Sequence, residues 1–282
     1  MWRKMLLLPV ICLLCGLLSG YAAMEQDSSH STVRAVKTAV SVDGETEFTG
    51  YLVDGAVYVP LRSFCGALHL GAAVSWEDET ETMIVTMNHQ GTSCIVTARV
   101  GEFYLYVNDR IVYLGADILS HRGNVLVPIN GLCSAFGVKW EDSGERLQLY
   151  TDSLELCASG SEVYHPNDLK WLSHIINAEA GNQSMEGQIC VGNVVLNRVA
   201  DGRFPDTVEA VVFSPNQFCP VKSGTIWCIP DEDAIAAAKL CLEGVNLAGE
   251  STYFVNPTTG STRWFRENLT YVMSVGDHDF YY

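Results

Sequence analysis

The chain has 282 residues, 48% hydrophobic and 18% charged, with 33 acidic against 17 basic residues and a formal net charge of -16. At roughly 100 to 200 residues per domain this leaves room for two domains with cores of their own, and the hydrophobic share excludes a disordered polymer. The acidity excludes a nucleic-acid binder, because such proteins neutralise phosphates with clustered Lys and Arg.

Arg3 and Lys4 precede an uncharged apolar run from Met5 to Leu18, and Gly20 and Ala22 place small residues beyond it. This is the pattern of a secretory signal over residues 1–23, and the run is shorter than the about 18 to 20 residues a membrane-spanning helix needs. Cleavage after Ala22 or Ala23 leaves 15 basic residues against 33 acidic, a formal charge of -18, and no membrane segment.

Eight cysteines follow the signal, Cys65, Cys94, Cys133 and Cys157 in the first half and Cys190, Cys219, Cys228 and Cys241 in the second. Export permits disulfides, and four per half suits pairing within each half, with connectivity left open. Cys219 and Cys228 bracket a Pro-, Gly- and Lys-containing loop and make the best local pair. Cys190 and Cys241 sit in apolar strings, where a thiol also serves as a small buried hydrophobe. Beyond the signal there is no CxxC pair and no HExxH, so neither a metal nor another cofactor is expected. Asp277-His278-Asp279 reads as a strand end with solvated charges.

The first half contains an echo. Val57-Tyr58-Val59-Pro60-Leu61-Arg62-Ser63-Phe64-Cys65 returns as Val125-Leu126-Val127-Pro128-Ile129-Asn130-Gly131-Leu132-Cys133, and Val74-Ser75-Trp76-Glu77-Asp78 returns as Val138-Lys139-Trp140-Glu141-Asp142. Each copy predicts a strand ending at Pro, a short helix and a second strand through Trp; alternation at Met83–Thr86 and Leu147–Tyr150 adds closing strands. One unit is too small to bury its own apolar face, so two stacked units are expected to form one β-rich α+β repeat domain over residues 33–152. The pattern resembles the copper amine oxidase N-terminal-like domain, although no His or Cys cluster here suits copper. The resemblance implies either wall attachment or a passive spacer.

Residues 153–167 hold Ala158-Ser159-Gly160-Ser161 and His165-Pro166-Asn167, a run of breakers that reads as a linker ending in a helix cap at Asn167. A second domain then spans residues 168–282. Leu169, Leu172, Ile175 and Ile176 recur at helical spacing, and Glu179 continues that apolar stripe just before Gly181. Desolvation there raises a carboxyl's pKa, and so does the carbonyl end of a helix, which is how a general acid is prepared. An exposed residue at a frayed helix end is the other reading of the periodicity. Glu186 and Asp206, the other nearby acids, stand where helix starts favour acidic side chains.

A second helix is expected over Ile189–Val199, with Asn197 and Arg198 tying it to the domain, and Ala234–Leu242 reads as a core helix. Further along come Phe204-Pro205-Asp206-Thr207-Val208, Asn216-Gln217-Phe218, Tyr253-Phe254-Val255-Asn256-Pro257 and Gly276-Asp277-His278-Asp279-Phe280. With Glu179-Ala180 these strings resemble, in order and from about Trp171 to Tyr281, the catalytic domain of the SleB-type cell wall hydrolases, the spore cortex-lytic enzyme family. Many members carry Arg-Gly-Glu after the Glu-Ala pair, whereas this chain has Gly181-Asn182-Gln183, which leaves Glu179 as the strong candidate.

The resemblance implies a mainly α (α+β), lysozyme-like C-terminal domain in an exported protein of the cell wall or spore envelope. It implies cleavage of peptidoglycan glycan strands between N-acetylmuramic acid and N-acetylglucosamine. A glycosidase ordinarily needs two carboxylates. With one at a motif position, lytic transglycosylase chemistry, in which the sugar's own 6-hydroxyl attacks, is favoured over hydrolysis. Substrate contacts are expected from Gln217, Phe218, Tyr253, Asn256, Trp264 and His278, with Phe218 equally suited to the core and Tyr253 and Trp264 open to purely structural roles. Two alternatives are a non-catalytic wall-binding protein and a Cys-His peptidase pairing Cys190 or Cys219 with His278.

Overall fold

Short runs that alternate apolar and polar residues dominate the N-terminal half and become strands, while longer stretches of helical period dominate the C-terminal half. The structure, a computed structural model, describes residues 34–282 apart from residues 90, 216 and 261. The signal expected over residues 1–23 lies outside the described residues.

In chain order the N-terminal half comprises β1 (Ala35–Val42), β2 (Thr46–Val53), β3 (Ala56–Pro60), α1 (Leu61–Ala67), β4 (Ala73–Glu77), β5 (Thr82–His89) and β6 (Thr92–Arg99). There follow β7 (Tyr104–Val107), β8 (Arg110–Tyr113), β9 (Leu119–His121), β10 (Asn124–Pro128), α2 (Ile129–Ala135), β11 (Lys139–Asp142) and β12 (Arg146–Tyr150). One sheet has the order β11-β12-β1-β2-β3-β10-β9, with β1 and β12 parallel, and a second is the antiparallel meander β4-β5-β6-β7-β8. The apolar faces enclose a common core that includes Val59, Phe64, Met87, Val96, Leu105 and Phe136, each at most 2% exposed.

The echoing segments meet directly. β3 pairs antiparallel with β10, Val59 opposite Val127, Tyr58 opposite Pro128 and Pro60 opposite Leu126, so equivalent positions are related about Val59 and Val127. Each Pro ends its strand and hands the chain to a helix that buries matching residues, Leu61, Phe64 and Cys65 in α1 and Ile129, Leu132 and Cys133 in α2. The units lie edge to edge rather than stacked as expected, and the strands that follow part company. The β4-β5 hairpin joins the meander, whereas β11-β12 joins the larger sheet because β12 adds to β1.

The C-terminal half comprises α3 (Gly160–Val163), α4 (Pro166–Ala180), α5 (Met185–Ala200), α6 (Val208–Val212), α7 (Cys219–Ser223), a 3-10 turn at Thr225–Trp227, and α8 (Glu232–Leu242). β13 (Tyr253–Val255), α9 (Arg263–Asn268), β14 (Tyr271–Val275) and β15 (His278–Tyr281) close the chain, the strands in the order β13-β15-β14. The chain thus has an N-terminal β-rich region and a C-terminal mainly helical region.

Local chemistry sets the helix ends. α4 begins at Pro166 with His165 as its N-cap, two residues before the Asn167 cap expected from sequence, because Pro at the first helical position lacks only an N–H that would go unused. Ser184 caps α5 by accepting from the Gly187 amide, and Glu186 occupies its first turn. Thr207 caps α6, which leaves Asp206 outside that helix. Gly192 brings α5 close to its neighbours, since a Cβ there would lie 2.7 Å from Cys241 Sγ and 2.8 Å from Ile176 Cδ1.

The segment 153–167 is docked rather than free. The amides of Glu155, Cys157 and Gly160 donate to the carbonyls of Phe136, Ala135 and Asn108, and Leu154 and Leu156 pack on the N-terminal core. The two halves also share apolar packing, since Tyr104 and Ile111 join the cluster of Trp171, Ile175 and Ala238. Arg110 donates through Nε and Nη2 to the Glu243 carboxylate at 2.9 Å each. The Tyr164 hydroxyl accepts from the Ile111 amide and donates to Glu243. Asn108 and Asp109 have positive φ at the two-residue β7-β8 turn, the conformation that matches strand twist, and this tip carries Asp109 to Lys239 Nζ at 2.6 Å.

Candidate active site

The apolar stripe of α4 is buried at Trp171, Leu172, Ile175, Ile176 and Ala180, and Glu179 lies in the same sector on the last turn, half-buried. Burial penalises its carboxylate and the Arg198 guanidinium favours it; burial prevails, and the carboxyl is pushed up to about 7. A group poised there gives and takes a proton near neutral pH with little driving force lost in either direction.

Arg198, on the last turn of α5, is 4% exposed. Its Nε donates to the Thr252 carbonyl at 2.7 Å, and its guanidinium lies 5.0, 5.3 and 5.4 Å from the ring centres of Phe218, Phe204 and Tyr253. Burial lowers its pKa to about 10, which leaves it charged at neutral pH, and its Nη1 is buried without a hydrogen-bond partner in the structure. Neighbouring residues of α5 fix the strand that leads into the site. Asn193 Nδ2 donates to the Val245 carbonyl, and Asn197 Nδ2 donates to the carbonyls of Gly249 and Ser251. The expected tie between the second helix and the rest of the domain is therefore formed by Asn197 and Arg198.

The sequence-predicted contacts separate into groups. Phe218 is 5% exposed and packs between Arg198 and Phe254, so it serves the wall of the site from within the core, a burial worth about 1.5–3 kcal/mol. Tyr253 is half-buried, edge-on to Phe204 at 6.0 Å and to Trp264 at 6.2 Å. Trp264 is 52% exposed at the start of α9, which leaves its ring available to a sugar face. His278 is 6% exposed, edge-on to Phe254 at 5.2 Å, and burial holds its imidazole below the ordinary value against the opposing pull of Asp277. Gln217 is exposed, and its amide donates to the Ser214 carbonyl. Asn256 shapes the turn after β13 instead, since its Oδ1 accepts from the amides of Thr258 and Thr259.

Gln183 clamps the loop after Glu179 to the β14-β15 hairpin. Its Nε2 donates to Asp277 Oδ2 and its Oε1 accepts from the Asp277 amide, both at 3.0 Å. The clamp spans 94 residues, and nothing in either local string announces it.

The described cysteines do not form the expected pair, and Cys190 is not placed as a nucleophile. All eight described cysteines are free thiols, Cys219 and Cys228 exposed and Cys190 and Cys241 buried. Burial pushes Cys190 up to about 12, the opposite of what a thiolate nucleophile needs, and His278 Nδ1 has no hydrogen-bond partner.

Residues 182–281 match the Cell Wall Hydrolase family, a span that begins three residues beyond Glu179, and residues 39–151 match the Copper amine oxidase N-terminal domain. The chain therefore carries a cell wall hydrolase domain behind a copper amine oxidase N-terminal-like domain. A spore cortex-lytic enzyme of Oceanobacillus iheyensis is 33% identical over 117 residues, 42% of this chain and 42% of that protein. One from Bacillus cereus is 32% identical over 117 residues, 42% of this chain and 45% of that protein. The chain thus spans less than half the length of these relatives. The crystal structure of the catalytic domain of the Bacillus cereus SleB protein superimposes with a TM-score of 0.40 at 31% identity, over 42% of this chain and 92% of that one.

Proposed function

We propose that the protein cleaves peptidoglycan glycan strands as a lytic transglycosylase, with Glu179 as its single acid and base. The observation that carries this reading is Glu179 itself, half-buried on the apolar face of α4 and pushed up to about 7 by burial against the opposing pull of Arg198. Protonated Glu179 gives its proton to the glycosidic oxygen as the bond to the anomeric carbon breaks. The resulting carboxylate takes the proton of the 6-hydroxyl as that oxygen closes on the same carbon, giving a 1,6-anhydromuramyl end without consuming water.

The names of the relatives make spore cortex the first substrate to examine, and an exported protein of the wall or spore envelope the corresponding setting. We read residues 33–152 as a doubled module that attaches to the wall, residues 153–167 as its strap, and residues 168–282 as a lysozyme-like catalytic domain. Phe218, Tyr253, Trp264 and His278 frame the glycan groove, and Gln217 faces it from the exposed loop.

Mass spectrometry of soluble muropeptides from digested wall tests the reaction. Anhydromuramyl ends are expected, and reducing muramyl ends mean hydrolysis instead. Glu179→Gln is expected to lose cleavage by about 100-fold or more, the scale of a general acid's contribution, with the fold intact. Undiminished cleavage by that variant removes Glu179 from the mechanism, and a wild-type protein that binds wall without cutting it is a binding protein.

A further inference from the structure

Two cavities at the junction of the halves, of about 530 and 260 Å³, share Thr97, Tyr106 and Glu232 in their linings and so form one continuous cleft. Its floor is the outer face of the meander, where register sets Ile84 beside Thr97 and Thr97 beside Tyr106 in a row across β5, β6 and β7. Its other wall is α8, from Glu232 to Lys239. None of β5, β6 and β7 is an edge of the meander, so backbone groups are used within the sheet and only side chains meet an occupant. Threonine hydroxyls, a tyrosine ring and carboxylates suit a polyhydroxylated ring better than an extended peptide, which binds chiefly through main-chain pairing at an edge.

Charge narrows the ligand. Five carboxylates, those of Glu77, Glu102, Asp109, Glu232 and Asp233, line the cleft with two cations, Arg99 and Lys239. Lys239 is already held by the carbonyl and the carboxylate of Asp109 at 2.8 and 2.6 Å. Glu102 is raised by burial and by the fields of Asp233 and Asp117, which Arg99 only partly offsets. Carboxylates outnumber cations in the cleft, and a cationic occupant balances them.

We propose that this cleft is a second glycan site, separate from Glu179, that binds a stretch bearing free amino groups, a glucosamine oligomer, with Tyr106 against a ring and Glu102, Glu232 and Asp233 around the ammonium groups. It rests on the wall-glycan reading above for the class of polymer, and adds a preference for sugars that lack the N-acetyl group.

The test is calorimetric titration of the full chain carrying Glu179→Gln, so that no glycan is cut, with a glucosamine tetramer, an N-acetylglucosamine tetramer and tetralysine. The glucosamine tetramer is expected to bind at least about ten-fold more tightly than either of the others and to weaken as salt rises. Adding Glu232→Gln and Asp233→Asn, both exposed in the first turn of α8, is expected to cost about ten-fold in that affinity while lowering the melting temperature by only a few degrees, the fold being retained. Equal binding of the two sugars, tighter binding of tetralysine, no binding of the glucosamine tetramer, or indifference to the paired substitution each overturns the proposal. Cleavage of wall by the chain with Glu179 intact and the paired substitution in place reports on the catalytic reading separately.

Discussion

Arg198 and Glu179 act on each other at the meeting of α4 and α5: burial drives the carboxyl up, the guanidinium draws it down, and the acid settles at about 7. The guanidinium is itself held by the Thr252 carbonyl and by three rings, so the charge that tunes the acid is fixed in place.

Cleavage by a protonated acid declines as that acid ionises. The kcat/KM profile is expected to fall as pH rises through about 7, the value of the Glu179 carboxyl. Arg198→Met removes the cation and is expected to move that descending limb to higher pH, with Arg198→Lys moving it less. A limb that stays in place in Arg198→Met separates Arg198 from the acid's titration.

The same shift is a statement about stability. The carboxyl rises from 4.5 to about 7 on folding, so its contribution is fully present below 4.5 and is lost as pH climbs through 7. Glu179→Gln is therefore expected to match the wild type in stability at pH 4 and to exceed it by about 2 kcal/mol at pH 8, a figure discounted for partial solvent contact. Urea unfolding at the two pH values measures it, and an equal effect at both speaks against a buried acid.

At the junction, Glu243 accepts three hydrogen bonds, two from Arg110 and one from Tyr164. Glu243→Ala leaves both donors without their acceptor in partly buried positions and is expected to cost about 1–3 kcal/mol. Arg110→Ala with Glu243→Ala is expected to cost less than the sum of the single changes, because each alone strands the other's charge. Thermal unfolding of the four proteins in this cycle gives the coupling directly.

Thiol labelling distinguishes the cysteines. In the reduced native chain Cys219 and Cys228 are expected to react quickly, because both are exposed, and Cys65, Cys94, Cys133, Cys190 and Cys241 only after unfolding. Cys65 and Cys133 are each pushed up to about 12 by burial, which removes the reactive thiolate even where reagent arrives. Fast labelling of Cys190 contradicts this assignment.

The helix that bears Glu179 was readable because its signal is local. Leu172, Ile175 and Ile176 recur at helical spacing, and the phase that buries them also turns Glu179 inward. The strand, Pro and helix units were readable for the same reason, since alternation and a missing amide act over a few residues. The sequence by itself therefore determined the two strand-Pro-helix units and the helices around Ile175, Val194 and Ala237, that a carboxyl would sit on an apolar face, and that the chain would divide into a β-rich and a helical half.

Tertiary packing decided which of those surfaces met. The echoing units lie edge to edge because β3 pairs with β10, and β11-β12 joined the larger sheet because β12 adds to β1. Asn256 became a turn former because its own loop supplied two amides, and Gln183 found Asp277 only when the last hairpin folded back on α4. The charge of Arg198, on the next helix, draws the Glu179 carboxyl down, and Lys239 holds the tip of the β7-β8 turn 130 residues away along the chain. Burial and charge depend on every element packed against a group, and periodicity reports only on the element that carries it, so the titration of Glu179 and the acidic cleft at the junction came from the folded chain alone.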